Sequence, residues 1–295
     1  MNYIDILKFI LVALIAYFMG NVSFARIFSK LKHGDITKSG SGNPGTMNML
    51  RTYGFKLGLL TLICDIIKGV IPALISQFIF GFGTYFGTIA LYLAGVFVIL
   101  GHNYPVFYHF KGGKGIACIL GVFMVDDPIW VLVFIVVAFF ALLILDYGSV
   151  VTLTIVSALI IIEGLQNYGN IAVSILLFII FLLIWFAHRS NIRRLLVGKE
   201  NKANLQKSLK KKFSKKQAEI KSEYKQEKSE IKAEYKLEKE KAKDDKQKIR
   251  EEKEKYHEEK RKKRREYSSK KRKVYDYSSI VSFVSIDDEN NKDNE

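Results

Sequence analysis

Long apolar segments separated by polar loops recur through the first 200 residues, and they constrain the fold of this 295-residue chain more than any other feature. A helix needs roughly 20 mostly apolar residues to cross a bilayer. Five segments approach or exceed that length: 6–25, 57–80, 84–101, 129–145 and 170–187. Two shorter segments, 115–125 and 149–163, either span the membrane or enter it as re-entrant elements. We therefore predict an all-α polytopic membrane helix bundle of about seven transmembrane helices.

Lysine and arginine are distributed very unevenly among the loops between these segments. With seven spans, the basic loops 26–56 and 102–114 and the end of the chain share one side, whereas loops 81–83, 126–128 and 164–169 contain neither lysine nor arginine. Cytoplasmic loops carry the excess of basic residues. We expect a multi-pass protein of the cell membrane, with its N-terminus outside and its basic loops and C-terminal tail in the cytoplasm. The first segment lacks the basic start of a cleavable signal peptide.

The composition changes near residue 200, where a strongly charged tail begins. Residues 199–295 contain 32 Lys and Arg and 22 Asp and Glu, without glycine or proline. The sequence EIKSEYKQEKS at 219–229 is repeated as EIKAEYKLEKE at 230–240, and this 11-residue period is close to three helical turns. We predict a membrane domain over 1–200 and a Lys/Glu-rich cytoplasmic helical tail over 201–295. Its acidic end, 276–295, is predicted to be disordered. A solvated helix, contact with anionic lipid and self-association all fit the tail.

A first polar cluster follows the first predicted span and reads SGSGNPG over residues 39–45, with Asn48 and Arg51 soon after. Glycines allow backbone N–H groups to form a concave nest that binds anions. Ser41 and Asn43 add neutral donors, and an arginine can hold a phosphate through two parallel hydrogen bonds. The loop therefore predicts phosphate binding, although taken alone it fits an ordinary flexible turn equally well.

A second cluster contains His102 and the sequence FKGGKG at 110–115, directly before an apolar segment. A helix that begins there would direct its positive end toward a bound anion. Because Lys114 is followed by Gly115 and not by serine or threonine, this is not the P-loop of an ATPase. The alternative is a basic cytoplasmic loop whose glycines only make turns.

A third cluster follows the last predicted span. His188 and Asn191 are three residues apart and share a helix face, where they can hydrogen-bond a substrate at the membrane surface. The alternative is an interfacial histidine with no chemical role. Asp65 and Lys68, also three residues apart, lie inside a predicted span, so we predict a structural ion pair that faces the site.

Together these loops resemble the bacterial acyl-phosphate glycerol-3-phosphate acyltransferases, the PlsY family. The resemblance is carried by GSGNPG at 40–45 with the asparagine and arginine that follow, CDIIKG at 64–69, GHNYPVFYHFKGGKG at 101–115 and HRSNIRRLLVGKE at 188–200. It covers roughly residues 1–200 and leaves the tail outside the family pattern. The sequence departs from that pattern at Asn21, Thr37, Thr46, Met47, Cys118 and Ala187.

The resemblance implies a seven-helix membrane enzyme that transfers an acyl group from acyl phosphate to the 1-hydroxyl of glycerol 3-phosphate. The products are lysophosphatidic acid and phosphate. The partners expected are these two substrates and membrane lipids, with no cofactor, metal or nucleic acid. The candidate residues are Ser41, Arg51, His188 and Asn191 for catalysis; Gly42, Asn43, Asn48, His102, Lys111, Gly112, Gly113, Lys114 and Gly115 for phosphate binding; and Asp65, Lys68 and Glu200 for structure.

The chemistry of acyl phosphate agrees with these residue types. It is an activated mixed anhydride, so positioning and charge neutralisation can supply most of the acceleration. A covalent nucleophile is not required, and Cys64 and Cys118 lie in apolar segments that suit neither this role nor a disulfide. The proton of the attacking hydroxyl passes either to His188 or to the substrate's own phosphate.

Two other functions are compatible with a basic membrane protein. A transporter of small anions would place basic residues near the bilayer midplane and show two related halves. Only Lys68 lies deep in a predicted span, and the two halves show no repeat. A scaffold whose functional part is the tail would leave the three polar clusters unexplained.

Overall fold

The computed structural model describes residues 2–242 and 245–283, which fold into helices and turns without a strand. The chain divides into two compact units, one up to Leu205 and the other from Gln206. The helices are α1 (Tyr3–Asn21), α2 (Phe24–Leu31), α3 (Thr46–Tyr53), α4 (Phe55–Phe80), α5 (Tyr85–Asn103), α6 (Ile116–Asp126), α7 (Pro128–Leu145), α8 (Gly148–Gln166), α9 (Ile171–Ala187), α10 (Arg189–Leu196), α11 (Leu205–Lys241) and α12 (Lys246–Phe283).

Seven apolar helices, α1 and α4 to α9, form the first unit and confirm the predicted bundle. Five of them are long and apolar enough to cross a membrane, and α9 becomes the sixth when joined to α10 across a bend of 54°. The segment predicted over 149–163 belongs to the full-length helix α8. By contrast, α6 has 11 residues and is about 16 Å long, shorter than the roughly 30 Å hydrocarbon core. The helix itself is therefore shorter than the hydrocarbon core, although it connects the basic loop that ends at Gly115 with the acidic loop near 126–128 at the other end of the bundle.

The apolar outer surface of the bundle is typical of a protein surrounded by lipid. The clearest example is α7, whose 18-residue window has a mean hydropathy of 3.1 although only 11% of it is buried within the chain. Ile129 at its start is 71% exposed. In water such a surface would be strongly unfavourable, whereas lipid chains solvate it without cost.

Pairs of glycines bring two sets of helices into close contact. A Cβ atom added to Gly20 of α1 would overlap the backbone of α5, and one added to Gly101 of α5 would overlap the carbonyl of Tyr17. Gly69 of α4 and Gly121 of α6 are related in the same way. Small residues at helix crossings allow this backbone approach in membranes, where packing replaces the hydrophobic effect as the main driving force.

Lys68 joins α1, α4 and α5 through a buried ammonium group. Its Nζ lies 3.1 Å from Asp65 Oδ1 and donates to Val22 O at 2.7 Å and Gly20 O at 3.2 Å. Gly20 lies in the last turn of α1 and Val22 directly follows the helix, so the helix itself supplies no donors for these carbonyls. Nζ also lies 2.7 Å from His102 Nδ1. Because an ammonium only donates, Nδ1 accepts, and a neutral imidazole then carries its hydrogen on Nε2. The predicted ion pair of Asp65 and Lys68 is present, and its ammonium group also hydrogen-bonds carbonyls at the end of α1.

The opposite end of the bundle is held by hydrogen bonds among α4 to α8. Gln77 Nε2 donates to Gly87 O at 2.8 Å. The Tyr92 hydroxyl lies 2.5 Å from Asp126 Oδ2 and 2.6 Å from Glu163 Oε2. These contacts hold the acidic loop near 126–128 against α5 and α8, at the end of the bundle opposite to the basic loops.

The second unit is an antiparallel hairpin of α11 and α12, whereas the sequence analysis considered a solvated helix and no hairpin. Tyr224 stacks on Tyr267 at a centroid distance of 4.4 Å, and Tyr235 stacks on Tyr256 at 4.6 Å. The apolar stripe of the 11-residue repeat therefore packs within the chain, with Ile231 also buried.

The end of the tail differs in part from the prediction of disorder over 276–295. Helix α12 continues to Phe283, so residues 276–283 are helical. The remaining residues, 284–295, lie outside the described residues.

Replacing Lys68 with methionine should destabilise the bundle strongly, because Asp65 would remain buried without its counter-charge. Breaking a buried pair in this way costs about 3–5 kcal/mol, or roughly 6–20 °C in melting temperature for a domain of this size. Thermal unfolding in detergent, followed by circular dichroism, measures the change. The matched control is Lys56→Met, because Lys56 is exposed on the same helix. Equal melting temperatures for the two variants would contradict the role of Lys68.

Candidate active site

The buried carboxylate of Glu200 is the centre of a polar cluster at one end of the bundle. It accepts hydrogen bonds from Asn191 Nδ2 at 2.5 Å, Arg194 Nε at 2.9 Å and Ser149 Oγ at 3.0 Å. Burial alone would raise the pKa of the carboxyl, but these hydrogen bonds outweigh burial and leave the pKa below its usual value. Glu200 is thus ionised at neutral pH and ties the segment after α10 to α8, as expected for a structural acid.

Lys114 enters the cluster from the second polar loop. Its ammonium donates to Asn191 Oδ1, so Asn191 links Lys114 on one side to Glu200 on the other. Burial, and then the charge of Arg194, lower the pKa of Lys114 to about 8. The lysine is therefore mostly charged at pH 7 and is sensitive to small changes in its surroundings.

Arg51 brings a third cation, from α3. Burial lowers the pKa of its guanidinium, and the charges of Glu200, Arg194 and Asp146 also act on it. The Nε of Arg51 is buried and has no hydrogen-bond partner among the described residues. Three cations, those of Arg51, Lys114 and Arg194, therefore face the carboxylates of Glu200 and Asp146, and the cluster carries excess positive charge. Such a site favours anions.

His188 lies one residue beyond α9, at the bend between α9 and α10, and is buried. Its Nδ1 lies 2.8 Å from Ile184 O, and because a carbonyl only accepts, Nδ1 carries the hydrogen. Nε2 is then the acceptor of the neutral ring. Burial, followed by the charge of Lys114, lowers the pKa of His188 to about 4. The neutral imidazole predominates at pH 7, so His188 is a hydrogen-bond acceptor and a weak base.

The first glycine-rich loop is shaped by Asn48. This buried side chain donates to Ile36 O at 3.1 Å and Ser39 O at 2.9 Å, and accepts from the N–H of Ser41 at 2.9 Å. All its polar atoms are thus used within the loop, which differs from the predicted contact with phosphate. Positive φ values at Gly40 (+56°) and Gly42 (+72°) explain why glycine occupies these positions.

The second loop also differs from the prediction. The N–H groups of Gly112 and Gly113 donate to Asn103 O at 3.1 Å and His102 O at 2.9 Å, so they are not available as an anion-binding nest. Any Cβ at Gly113 would overlap the His102 ring. These glycines allow the loop to lie directly on the end of α5. His102 is buried and hydrogen-bonded to Lys68, so its ring differs from the predicted contact with phosphate.

The remaining candidate residues lie in the loops that flank the cluster. Ser41 and Lys111 are exposed, and Asn43 is half-buried. Gly115, with φ at +80°, ends the second loop directly before α6. The first N–H groups of α6 have no partners within the helix and remain possible donors to an anion.

Sequence reasoning missed two residues of the corner between α7 and α8. Ser149 donates to Glu200, and Asp146 accepts from the N–H groups of Ala203 (2.6 Å) and Asn204 (2.8 Å) through its carbonyl and Oδ1 atoms, respectively. Together they fasten the segment after α10 to the bundle. A usable signal was present, because two polar side chains interrupt apolar sequence on the basic side of the membrane.

Comparisons with known proteins agree with this architecture. A family model described as glycerol-3-phosphate acyltransferase matches residues 10–198. A glycerol-3-phosphate acyltransferase of Finegoldia magna is 34% identical over 203 residues, covering 68% of this chain and 98% of the relative. One of Bartonella henselae is 40% identical over 199 residues, covering 66% and 92%.

A solved structure shares the fold as well as the sequence. The crystal structure of PlsY (YgiH), an integral membrane glycerol 3-phosphate acyltransferase in its glycerol 3-phosphate form, aligns with a TM-score of 0.60 and 36% identity, covering 66% of this chain and 94% of that protein. Its lysophosphatidic acid form gives a TM-score of 0.58. This integral membrane protein thus belongs to the glycerol-3-phosphate acyltransferase family.

Proposed function

We propose that the protein transfers an acyl group from acyl phosphate to the 1-hydroxyl of glycerol 3-phosphate, releasing lysophosphatidic acid and phosphate for phospholipid biosynthesis. The observation that carries the proposal is the cluster of Arg51, Lys114 and Arg194 around Glu200, assembled from α3, the second polar loop and α10. Both substrates carry a phosphate, and the cluster supplies excess positive charge to hold them. The glycerol 3-phosphate and lysophosphatidic acid forms of PlsY support the choice of acceptor and product.

In the proposed reaction the substrate hydroxyl attacks the acyl carbon, and the bond from that carbon to the phosphate oxygen breaks. The leaving group is already a good one, so Arg51 and Lys114 need only bind phosphate oxygens and neutralise their charge. The Ser41 hydroxyl would donate a further hydrogen bond from the first loop. Asn191 positions Lys114, and Glu200 holds Asn191 in place.

The proton of the hydroxyl is better accepted by phosphate than by the imidazole. His188 Nε2 can accept a hydrogen bond from the hydroxyl and orient it, but a pKa of about 4 makes His188 a poor final acceptor. A phosphate monoester has a second pKa near 6. Of the two routes that the sequence left open, we therefore propose that the phosphate accepts the proton and that His188 orients the hydroxyl.

A small-anion transporter is less well supported. The cations of the cluster lie at one end of the bundle, where the loops converge. Lys68, the lysine that the sequence placed deep in a span, is fully engaged by Asp65, two carbonyl oxygens and His102. An anion that crossed the bundle would have to displace these contacts.

The proposed orientation follows the distribution of charge. The site loops and the tail would face the cytoplasm and the N-terminus the outside, because lysine and arginine concentrate on the site side. The tail would then be within reach of either anionic lipid or another copy of the chain.

The identity of the acyl donor provides the first test of the proposed activity. Purified protein should form lysophosphatidic acid from palmitoyl phosphate and glycerol 3-phosphate without added divalent metal, and should form none from palmitoyl-CoA. The reason is that a cluster of single cations fits a phosphate-sized group and offers no surface for adenine. Product can be measured with radiolabelled glycerol 3-phosphate. Rapid turnover of palmitoyl-CoA would contradict the assignment of the donor.

The pH dependence tests the role of Lys114. Since a lysine loses its charge above its pKa, kcat/KM for glycerol 3-phosphate should fall roughly tenfold as the pH rises from 8 to 9.5. Lys114→Arg keeps the charge throughout this range and should remove the alkaline fall from whatever activity it retains. The matched control is Lys111→Arg on the exposed lysine of the same loop, which should keep the wild-type profile. A wild-type profile that stays flat to pH 9.5 would exclude Lys114 as the titrating group.

The orientation can be tested with single cysteines at exposed positions on opposite ends of the bundle. Ser190→Cys, on the site side, should react with a membrane-impermeant maleimide only in inverted vesicles. Tyr168→Cys should react in intact cells, because Tyr168 is 92% exposed in the loop between α8 and α9. The reverse pattern would show that the site faces outward.

A further inference from the structure

We propose that one end of the tail hairpin is a binding surface for anionic lipid headgroups. This surface, called the basic half, is formed by the described side chains within residues 205–227 of α11 and 258–283 of α12. It lies outside the segment that the family model matches, so the proposal does not depend on the enzymatic activity.

The charge of the hairpin is concentrated in the basic half. Residues 205–227 and 258–283 contain 18 Lys and Arg and 7 Asp and Glu. The turn half, residues 228–257, contains 11 Lys and Arg and 9 Asp and Glu. A helix segment of 23 residues is about 35 Å long, several times the Debye length of ~8–10 Å in physiological salt. An anionic surface would therefore be attracted by the basic half and would be almost unaffected by the turn half.

The fold creates this concentration, because 30 residues separate the two basic segments in the sequence. The stacked pair Tyr224 and Tyr267 sets the register, and Lys270 lies 3.7 Å from Glu223 across the hairpin. The two segments are thereby aligned side by side. Exposed basic side chains of the basic half include Lys207, Lys210, Lys211, Lys215, Lys216, Arg261, Lys262, Arg264, Arg265, Arg272 and Lys273.

Self-association of the tail is less favoured by this arrangement. The apolar stripe that a second copy would need is already used inside the hairpin, where Tyr224, Ile231 and Tyr235 pack against α12. The outward faces are charged, and copies that approach through their basic halves would repel each other. The occupant must therefore be anionic.

Chain connectivity favours lipid over other anionic partners. The first unit ends at Leu205, where α11 and the basic half begin, and Ala203 and Asn204 just before it are hydrogen-bonded to Asp146 of the bundle. The basic half therefore follows the membrane unit directly in the chain. This connection keeps the basic half near the bilayer at a high effective concentration, and polybasic segments next to a membrane domain bind anionic lipids.

The test uses the full-length chain in nanodiscs made from phosphatidylcholine alone or with 40% phosphatidylglycerol. Cys64 and Cys118 are replaced with alanine, and a fluorescent donor is attached to Ser268→Cys in the basic half. Energy transfer to acceptor-labelled headgroups should at least double in the anionic discs and return to the phosphatidylcholine value in 0.5 M NaCl. The matched label is Ser229→Cys in the turn half, which is also exposed and should change much less.

A charge-matched pair of variants identifies the residues responsible. Lys270→Gln, Lys271→Gln, Arg272→Gln and Lys273→Gln together should abolish most of the lipid-dependent increase. Replacing Lys246, Lys248, Lys253 and Lys255 with glutamine removes the same number of charges from the turn half and should leave the increase intact. Circular dichroism checks that both variants keep their helices.

Three results would overturn the proposal. The first is energy transfer that does not depend on phosphatidylglycerol, and the second is an equal increase for the two labels. The third is a signal that changes only when a single-stranded RNA or a second copy of the protein is added. Acyl transfer is measured separately, so an inactive enzyme with a lipid-bound tail, or the opposite, remains distinguishable.

Discussion

The ammonium group of Lys68 is surrounded by atoms from three helices, and the geometry of the site depends on this contact. Lys68 donates a hydrogen bond to the Val22 carbonyl at the end of α1, and its ion pair with Asp65 holds the side chain in place. It also fixes His102, which forms the surface on which Gly113 lies. Lys114 follows at once and reaches Asn191. A charge buried for structural reasons thus helps to place the ammonium group of Lys114, which is the charge proposed to bind phosphate.

Two kinds of buried cation are therefore present, and their surroundings distinguish them. Lys68 has a carboxylate and several acceptors, so its burial is compensated within the fold. Arg51 and Lys114 share Glu200 with Arg194, and that carboxylate already accepts three hydrogen bonds. Their charge remains incompletely compensated, and burial, followed by the charge of Arg194, lowers the pKa of Lys114. A phosphate that binds there supplies the missing negative charge, which is why incomplete compensation suits a binding site.

The sequence was sufficient to predict the apolar helices and most of the polar cluster. Positive-inside asymmetry placed the three loops on one side, and residue chemistry selected Arg51, Lys114, His188 and Asn191. These polar residues lie next to apolar membrane segments, where burying a polar group costs free energy. Residue type alone therefore marks them as candidate site residues.

The roles of glycine and asparagine were harder to predict. Glycine beside lysine fits both an anion-binding nest and a close helix contact, and only the hydrogen bonds of Gly113 separate the two. Asn48 has the same ambiguity, because its amide can serve a ligand or the loop. The tail hairpin was not predicted either, because the segment between Lys241 and Lys246 contains no glycine or proline that would indicate a turn.

Burial of the site links its electrostatics to its chemistry. Burial disfavours the charged form of His188 and of Lys114, and the positive charge of Lys114 lowers the pKa of His188 further. The imidazole therefore stays neutral beside a charged ammonium, and Nε2 keeps its lone pair for the substrate hydroxyl. If Lys114 were absent, the histidine would be easier to protonate and would lose that lone pair more often. In the proposed reaction Lys114 would thus have two roles, attracting phosphate and keeping His188 a hydrogen-bond acceptor.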